Sequence, residues 1–354
     1  MLKIFFSVSV FLLIVGVAIA QIPHGFYDSA DGKTGADLKT ALHEIISGHN
    51  ELSYSQLWEA FEKTDKAPNG SVWEMFSECV FEFVANQCGQ GGARNICDCF
   101  AREHSFPRSW YGGDVMPMHS DLFHIFPIDA IINSQRGNRP YGEVGEINTI
   151  REGGLGRFGA PRVGLGFYAS SVFEPDDEYK GDVARAFFYM ATRYENILED
   201  WFENESARQM LDGTAFPAFR DWALEMLIRW HENDPVSQKE IDRNNAVFLL
   251  QNNRNPFIDN PNFVLSIWRN VPQNTNISQS FPSASRRGNF TLSVKNRKLS
   301  IKTNSQNGRH KASIYSPDGR LLKKFDSQST DLSALAKGIY ILRVGRKNFK
   351  FALD

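Results

Sequence analysis

The stretch Ala101–Gly113, AREHSFPRSWYGG, sets the problem. At its centre Glu103 precedes His104, an acid beside an imidazole, with Pro107 and Trp110 close behind. Adjacent Glu and His are common, so alone such a dipeptide reads first as a salt-bridged surface pair. The stretch downstream, Met118–Glu146, is MHSDLFHIFPIDAIINSQRGNRPYGEVGE. It crowds Asp121, His124, Asp129, Asn133, Arg136, Asn138 and Arg139 among apolar residues and two prolines. Buried polar groups need partners, so this density points to a site rather than to plain scaffold.

Upstream lie all four cysteines, Cys79, Cys88, Cys97 and Cys99. Cys97-Asp98-Cys99 is a poor local bridge, so each of these two pairs with Cys79 or Cys88, and both connectivities stay open. A zinc site is the alternative, but its usual separated Cys-x-x-Cys pairs are absent. Disulfides require an oxidising compartment, and the chain opens accordingly. Lys3, the apolar run Ile4–Val17 and Ala18-Ile19-Ala20 form a signal peptide over residues 1–20. No later segment has the length and apolarity of a membrane span. The mature protein is expected outside the cytoplasm, secreted or at the cell surface, as a monomer.

The 354 residues are 42% hydrophobic and 13% aromatic, enough for one large or two ordinary folded domains. The charge is split. Residues 21–285 hold 22 Lys and Arg against 37 Asp and Glu, a net of −15, whereas 286–354 hold 16 against 4, a net of +12. Opposite signs in two blocks argue for two domains, over 21–270 and 286–354, joined by a polar linker at 271–285.

Within the first, apolar residues at helical spacing predict helices over Asp37–Ser47, Ser55–Lys63, Asp182–Trp201, Phe219–His231 and Ile241–Asn253. Their Met, Phe and Tyr stripes are core packing. Residues from Phe81 to Tyr168 are richer in Gly, Pro and Asn, giving short strands and loops. Beyond the linker the period becomes two, in Phe290–Val294, Leu299–Thr303, Lys311–Tyr315, Leu321–Phe325 and Ile339–Val344, with turns at Asn307-Gly308 and Pro317-Asp318-Gly319. The fold class is α+β: a mainly helical domain carrying an irregular strand-containing insert, then a small all-β sandwich.

Oxygen donors such as Glu103 and Asn133 suit a hard divalent cation. A neutral imidazole can deprotonate water, and arginine partners phosphate. Together these groups describe metal-assisted phosphodiester hydrolysis. The blocks REHSFPRSW, SDLFHIFP, NSQRGNRPYGEVGE and FEPDDEYKGDVARAFFYMATRYE, in that order, resemble the endonuclease I family of secreted and periplasmic nucleases. The resemblance spans about Gly25 to Trp268 and implies a ββα-metal (His-Me finger) motif. It implies Glu103 and Asn133 as ligands of Mg²⁺, with Ca²⁺ or Mn²⁺ possible. It implies His104 as general base, Arg136 as a catalytic phosphate contact and Asn138 as a hydrogen bonder. Arg102, Arg108 and Arg139 are further candidates for substrate binding. The chain departs from the family at Phe123, where many members carry His, and at Gly137, where many carry Ser; the glycine is expected to loosen the loop that orients Arg136. The last 65–70 residues, with IYSPDGRLLKK and DLSALAKGIYILRV, resemble the C-terminal sorting domain of type IX secretion substrates, which implies the secretion machinery as a partner. The alternative there is a β-module that binds glycan or protein.

The remaining polar residues keep scaffold readings. His119 and His124 either contact substrate or hold the scaffold; Asp121 and Asp129 cap or orient the helix carrying Asn133. The acidic run Glu174–Glu178 opens a helix. Trp110, Tyr111 and Tyr141 either stack on bases or pack in the core. The expected activity is endonucleolytic hydrolysis of DNA and/or RNA with little sequence preference, leaving 5′-phosphates. Composition opposes it, because nonspecific nucleases draw affinity from Lys and Arg and this domain is acidic. Arg151, Arg157 and Arg162, in a Gly-rich loop, are the candidates for a basic groove. Two rival classes remain: an inactive surface-binding protein, and another metal-dependent phosphoester hydrolase on the same scaffold.

Overall fold

The computed structural model describes residues 22–269 apart from 90, 150–152 and 163–170. It also describes 290–353 apart from 296–297, 304–310, 317–319, 327–328, 337 and 345–346. The leader, Arg151 and the linker therefore fall outside the described residues.

The chain begins with α1 (Gly35–Ile46) and α2 (Leu57–Thr64). In α1, Leu38, Leu42 and Ile46 recur every fourth residue and are all buried, so one face is committed to the core. An irregular segment with both disulfides follows, Cys79–Cys97 and Cys88–Cys99. Next come β1 (Phe100–His104), β2 (Ile125–Asp129) and α3 (Ala130–Arg136). A three-stranded antiparallel sheet comprises β3 (Val144–Thr149), β4 (Gly156–Pro161) and β5 (Val172–Pro175), with β4 central.

The helical half resumes with α4 (Lys180–Arg193), α5 (Leu198–Trp201), α6 (Asp221–Asn233), α7 (Gln238–Gln251), α8 (Pro256–Asp259) and α9 (Asn262–Trp268). Every residue of α4 after Lys180 is buried, as for a helix running through the middle of a domain. Its charged side chains are paired: Arg185 donates to both carboxylate oxygens of Glu240, at 2.5 and 2.8 Å. Glu240 also closes the capping box that starts α7 on Ser237.

The expected single helix over Asp182–Trp201 is instead two, separated at Tyr194. Periodicity continues through this point, but the carbonyls of Thr192 and Arg193 turn to the Nδ1 of His43 on α1, each at 3.0 Å. A partner on another helix thus ends α4 without Gly or Pro.

One apolar core runs from Ala30 to Trp268. A second, separate core gathers Leu299, Ala312, Ile314, Leu332, Tyr340, Leu342 and Val344. Its strands are β6 (Phe290–Lys295), β7 (Lys298–Thr303), β8 (Lys311–Tyr315), β9 (Leu321–Asp326), β10 (Ser329–Asp331), β11 (Gly338–Val344) and β12 (Lys347–Leu353). They form two antiparallel sheets, in orders β10-β7-β6 and β12-β11-β8-β9. Leu299 of the first sheet shares that core with residues of the second. Alternation predicted five of these strands; β10 is too short to show a period, and β12 was missed.

Candidate active site

β1 pairs antiparallel with β2, setting Glu103 opposite Phe126 and His104 opposite Ile125. β2 runs directly into α3, so the two strands and one helix are a single β–β–α unit. Asp129 makes the turn between strand and helix. Its Oδ1 accepts from the backbone N–H groups of Ile131 and Ile132, at 2.8 and 3.0 Å, the usual N-cap role of Asp. Its Oδ2 accepts from Cys97 N–H at 2.7 Å, and its own N–H donates to Glu74 at 2.9 Å. The disulfide segment therefore holds the start of the helix that carries Asn133.

Asp129 thus acts as expected, whereas Asp121 serves elsewhere. Buried completely, it caps the turn Leu122–His124 through Phe123 N–H. It also accepts from Tyr189, Tyr194 and Gln251, at 2.8, 2.7 and 3.0 Å. At the other end of α3, Gly137 has φ 57° and ψ −128°, a conformation costly to residues with a Cβ. It stops the helix and lets its carbonyl accept from Arg136 at 3.2 Å. The positive φ is one that glycine adopts without strain.

A cleft of about 420 Å³ opens over this unit, lined by Arg102, Glu103, His104, Arg108, Asn133 and Asn138 among others. Six of the predicted site residues thus meet in one place. Two do not face it. Arg136 is wholly buried, 0% exposed, with Nη1 3.0 Å from Glu103 Oε1. It donates to the carbonyls of His104 and Ser105, at 3.0 and 2.5 Å, and its guanidinium lies 4.5 Å over the Tyr141 ring. The expected phosphate contact is here a buried counter-charge, because a guanidinium so enclosed has no path to a substrate. Arg139 is exposed, and its Nη1 caps the end of α3 through the carbonyls of Gln135 and Arg136.

Glu103 is 3% exposed and His104 5%. Burial pushes the Glu103 carboxyl up to about 7, with Arg136 opposing the rise. Among the described residues Oε1 of Glu103 has no partner in hydrogen-bonding geometry despite the nearby guanidinium. His104 Nε2 lies 3.2 Å from the His119 carbonyl, and a carbonyl only accepts, so the proton sits on Nε2. Nδ1 is left with its lone pair and no described partner. Burial, followed by His124, holds the His104 pKa well below the ordinary histidine range, so the ring is neutral.

The neighbouring histidines, His119 and His124, are not among the residues that line the cleft. His119 stacks on Tyr54 with centroids 4.0 Å apart and lies parallel to His104 at 5.3 Å. His124 Nε2 donates to Met118 O at 2.7 Å. Trp110, Tyr111 and Tyr141 are buried core residues, which removes them as stacking platforms. The acidic run is scaffold too: Glu174 is buried against Lys180 and Arg157, at 2.8 and 3.2 Å. Arg162 faces Glu143 at 3.9 Å, so neither it nor Arg157 supplies a free basic groove. Tyr54 and Trp58 also line the cleft, although Trp58 is expected from the sequence only as an apolar position of the helix Ser55–Lys63 and Tyr54 just before it is not singled out. Their i, i+4 spacing is equally that of core packing, and nothing local marks the difference.

Among the described residues no group of three or more His, Cys, Asp or Glu is arranged to hold a metal ion. The carboxylate and carboxamide donors lining the cleft are one carboxylate, Glu103, and two carboxamides, Asn133 and Asn138. Such a hard, sparse set fits a cation that keeps water and substrate oxygens as its other ligands, as Mg²⁺ does.

Residues 34–262 match the Endonuclease I family. The extracellular ribonuclease of Bacillus amyloliquefaciens is 34% identical over 252 residues, covering 69% of this chain and 78% of the relative. That of Bacillus subtilis (strain 168) is 35% identical over 249 residues, with the same coverage. An extracellular deoxyribonuclease of Aeromonas hydrophila is 24% identical over 173 residues, covering 49% and 58%. The chain belongs to the endonuclease I family of nucleic-acid hydrolases.

Proposed function

We propose that this is a secreted, divalent-cation-dependent endonuclease that hydrolyses DNA and/or RNA with little sequence preference and leaves 5′-phosphate ends. The observation that carries it is the convergence of Glu103, His104 and Asn133 on one cleft through the β1–β2–α3 unit. That unit is read as a ββα-metal finger. The names of the relatives cover both nucleic acids, and they support export, as does the signal peptide read over residues 1–20. The basic β-sandwich is read as the sorting domain that engages the secretion machinery, and the enzyme as a monomer.

In the mechanism, Nδ1 of His104 accepts a proton from water as the oxygen attacks phosphorus and the P–O3′ bond breaks in line. The His119 carbonyl fixes the imidazole tautomer and its rotation. A hard cation on Glu103 and Asn133, Mg²⁺ or alternatively Ca²⁺ or Mn²⁺, would supply charge for the developing oxyanion and the leaving 3′ oxygen. Arg136 holds the Glu103 carboxylate from behind and the backbone of His104 and Ser105 in register. Arg108 and Asn138 line the path of the substrate strand.

The test is incubation of the purified protein with plasmid and with RNA, with and without EDTA, beside His104→Ala. Mg²⁺-dependent cleavage lost in the variant is expected. Cleavage that survives EDTA or His104→Ala would overturn the mechanism. Binding without cleavage would replace it with an inactive surface-binding protein.

A further inference from the structure

An acidic domain must still hold a polyanion beside His104, and most of its local cations are spoken for. Arg136 is buried on Glu103, Arg108 is paired with Asp114 at 3.0 Å, and Arg157 and Arg162 face Glu174 and Glu143. Arg102 is different. Among the described residues it lines the cleft with no carboxylate within ion-pair distance, and it spends one of its five N–H donors, on the Tyr54 carbonyl at 2.6 Å. Its guanidinium carbon lies 3.5 Å over the Tyr54 ring and 4.3 Å over the Trp58 ring. Two aromatic faces thus orient a planar cation, and its other N–H groups have no acceptor among the described residues.

The position is set by the strand. Arg102 and His104 are two residues apart on β1, hence on one face and about 7 Å apart along it. The Tyr54 ring joins them, stacking on the His104 ring at 5.9 Å as well as under Arg102. That separation is of the order of the spacing between neighbouring phosphates on one nucleic-acid strand.

We infer that Arg102, held by Tyr54 and Trp58, is the anchor for the phosphate next to the scissile one. The inference rests on the proposed nuclease reading and deepens it. The acidic domain then binds its substrate through an oriented local cation beside the chemistry, not through a broad basic surface. Losing a charge-assisted contact of this kind lowers kcat/KM about 10- to 100-fold, and the slope of log(kcat/KM) against log[salt] on single strands falls by about 0.7.

The experiment is neutral-linkage interference. End-labelled single-stranded oligonucleotides, each with one methylphosphonate at a known position, are cleaved in Mg²⁺ by wild type, Arg102→Gln and Arg102→Lys. Wild type should cut the bond adjacent to the neutral linkage, on one side, about tenfold less than distant bonds. Arg102→Gln should cut all charged bonds evenly and more slowly, while Arg102→Lys, which keeps the charge, should retain the interference and so shows that the fold tolerates substitution here. Absence of interference in wild type, or the same interference in Arg102→Gln, would overturn the anchor. If wild type leaves the all-phosphodiester strand intact, the nuclease reading itself fails, and that outcome is distinct from the other two.

Discussion

Replacing Arg136 with Met keeps much of the side-chain volume and removes the charge. Glu103 then loses the cation at 3.0 Å that opposes the effect of its burial, and the carbonyls of His104, Ser105 and Gly137 each lose a donor. Removing one partner of a buried ion pair costs about 3–5 kcal/mol. For a domain of this size each kcal/mol is worth about 2–4 °C, so Tm should drop by about 6–20 °C. The structure also says where that cost arises. In a Glu103→Gln background only the hydrogen bonds to the His104, Ser105 and Gly137 carbonyls and the stacking on Tyr141 remain to be lost. Arg136→Met should therefore cost about 2–3 kcal/mol less in Glu103→Gln than in wild type, a coupling well above the scatter for independent sites. Urea unfolding of the four proteins measures it. Equal costs in the two backgrounds, within about 0.5 kcal/mol, would refute the claim that Arg136 exists here to neutralise Glu103.

Asp129→Ala removes the cap of α3 and should cost about 1–2 kcal/mol in urea unfolding, with Asp129→Asn closer to wild type. Cys88→Ala/Cys99→Ala should cost about 2–4 kcal/mol by reopening a loop that the bridge closes. His231 supplies a pH effect: burial and then Arg185 lower its pKa to about 4, with the Pro261 carbonyl opposing them. The unfolded chain protonates first, near 6.5, so this contribution is whole above that pH and is lost as pH falls toward 4. His231→Asn should flatten the dependence of unfolding free energy on pH between 6.5 and 4; an unchanged profile would refute the assignment.

Much of the fold is legible because burial writes its own period. Leu38, Leu42 and Ile46 in α1, and the alternating strands beyond residue 290, show in the sequence the faces they hide. Glu103, His104 and Asn133 are proposed from the sequence through the blocks shared with the endonuclease I family, since a Glu-His dipeptide alone has many other readings, and the structure brings the three to one cleft. What escapes is whatever depends on a partner distant in the chain. Tyr194 breaks a periodic helix because His43 on α1 takes the last carbonyls. Arg136 reads as a phosphate contact because arginine near a nuclease motif usually faces substrate, and only the packed structure puts it behind Glu103. Four cysteines in one short segment leave two pairings, which the chain path alone resolves.

The net charge of −15 over residues 21–285 looked like evidence against a nucleic-acid substrate, but net charge is the wrong quantity at short range. In salt an exposed charge acts over about 8–10 Å, so a substrate in the cleft senses mainly the groups that line it. Among the described residues Glu103 is answered by Arg136 beneath it and the lining Arg108 is paired with Asp114, while Arg102 has no carboxylate within ion-pair distance. The pairing that removes Arg136, Arg157 and Arg162 as substrate contacts also neutralises the carboxylates Glu103, Glu174 and Glu143 that would repel a phosphate. The distant acidic faces slow encounter more than they weaken the bound state, because long-range charge acts chiefly on association. Raising salt should therefore hurt this enzyme less than it hurts one with a basic surface, and its rate on nucleic acid should fall only shallowly between 50 and about 200 mM salt.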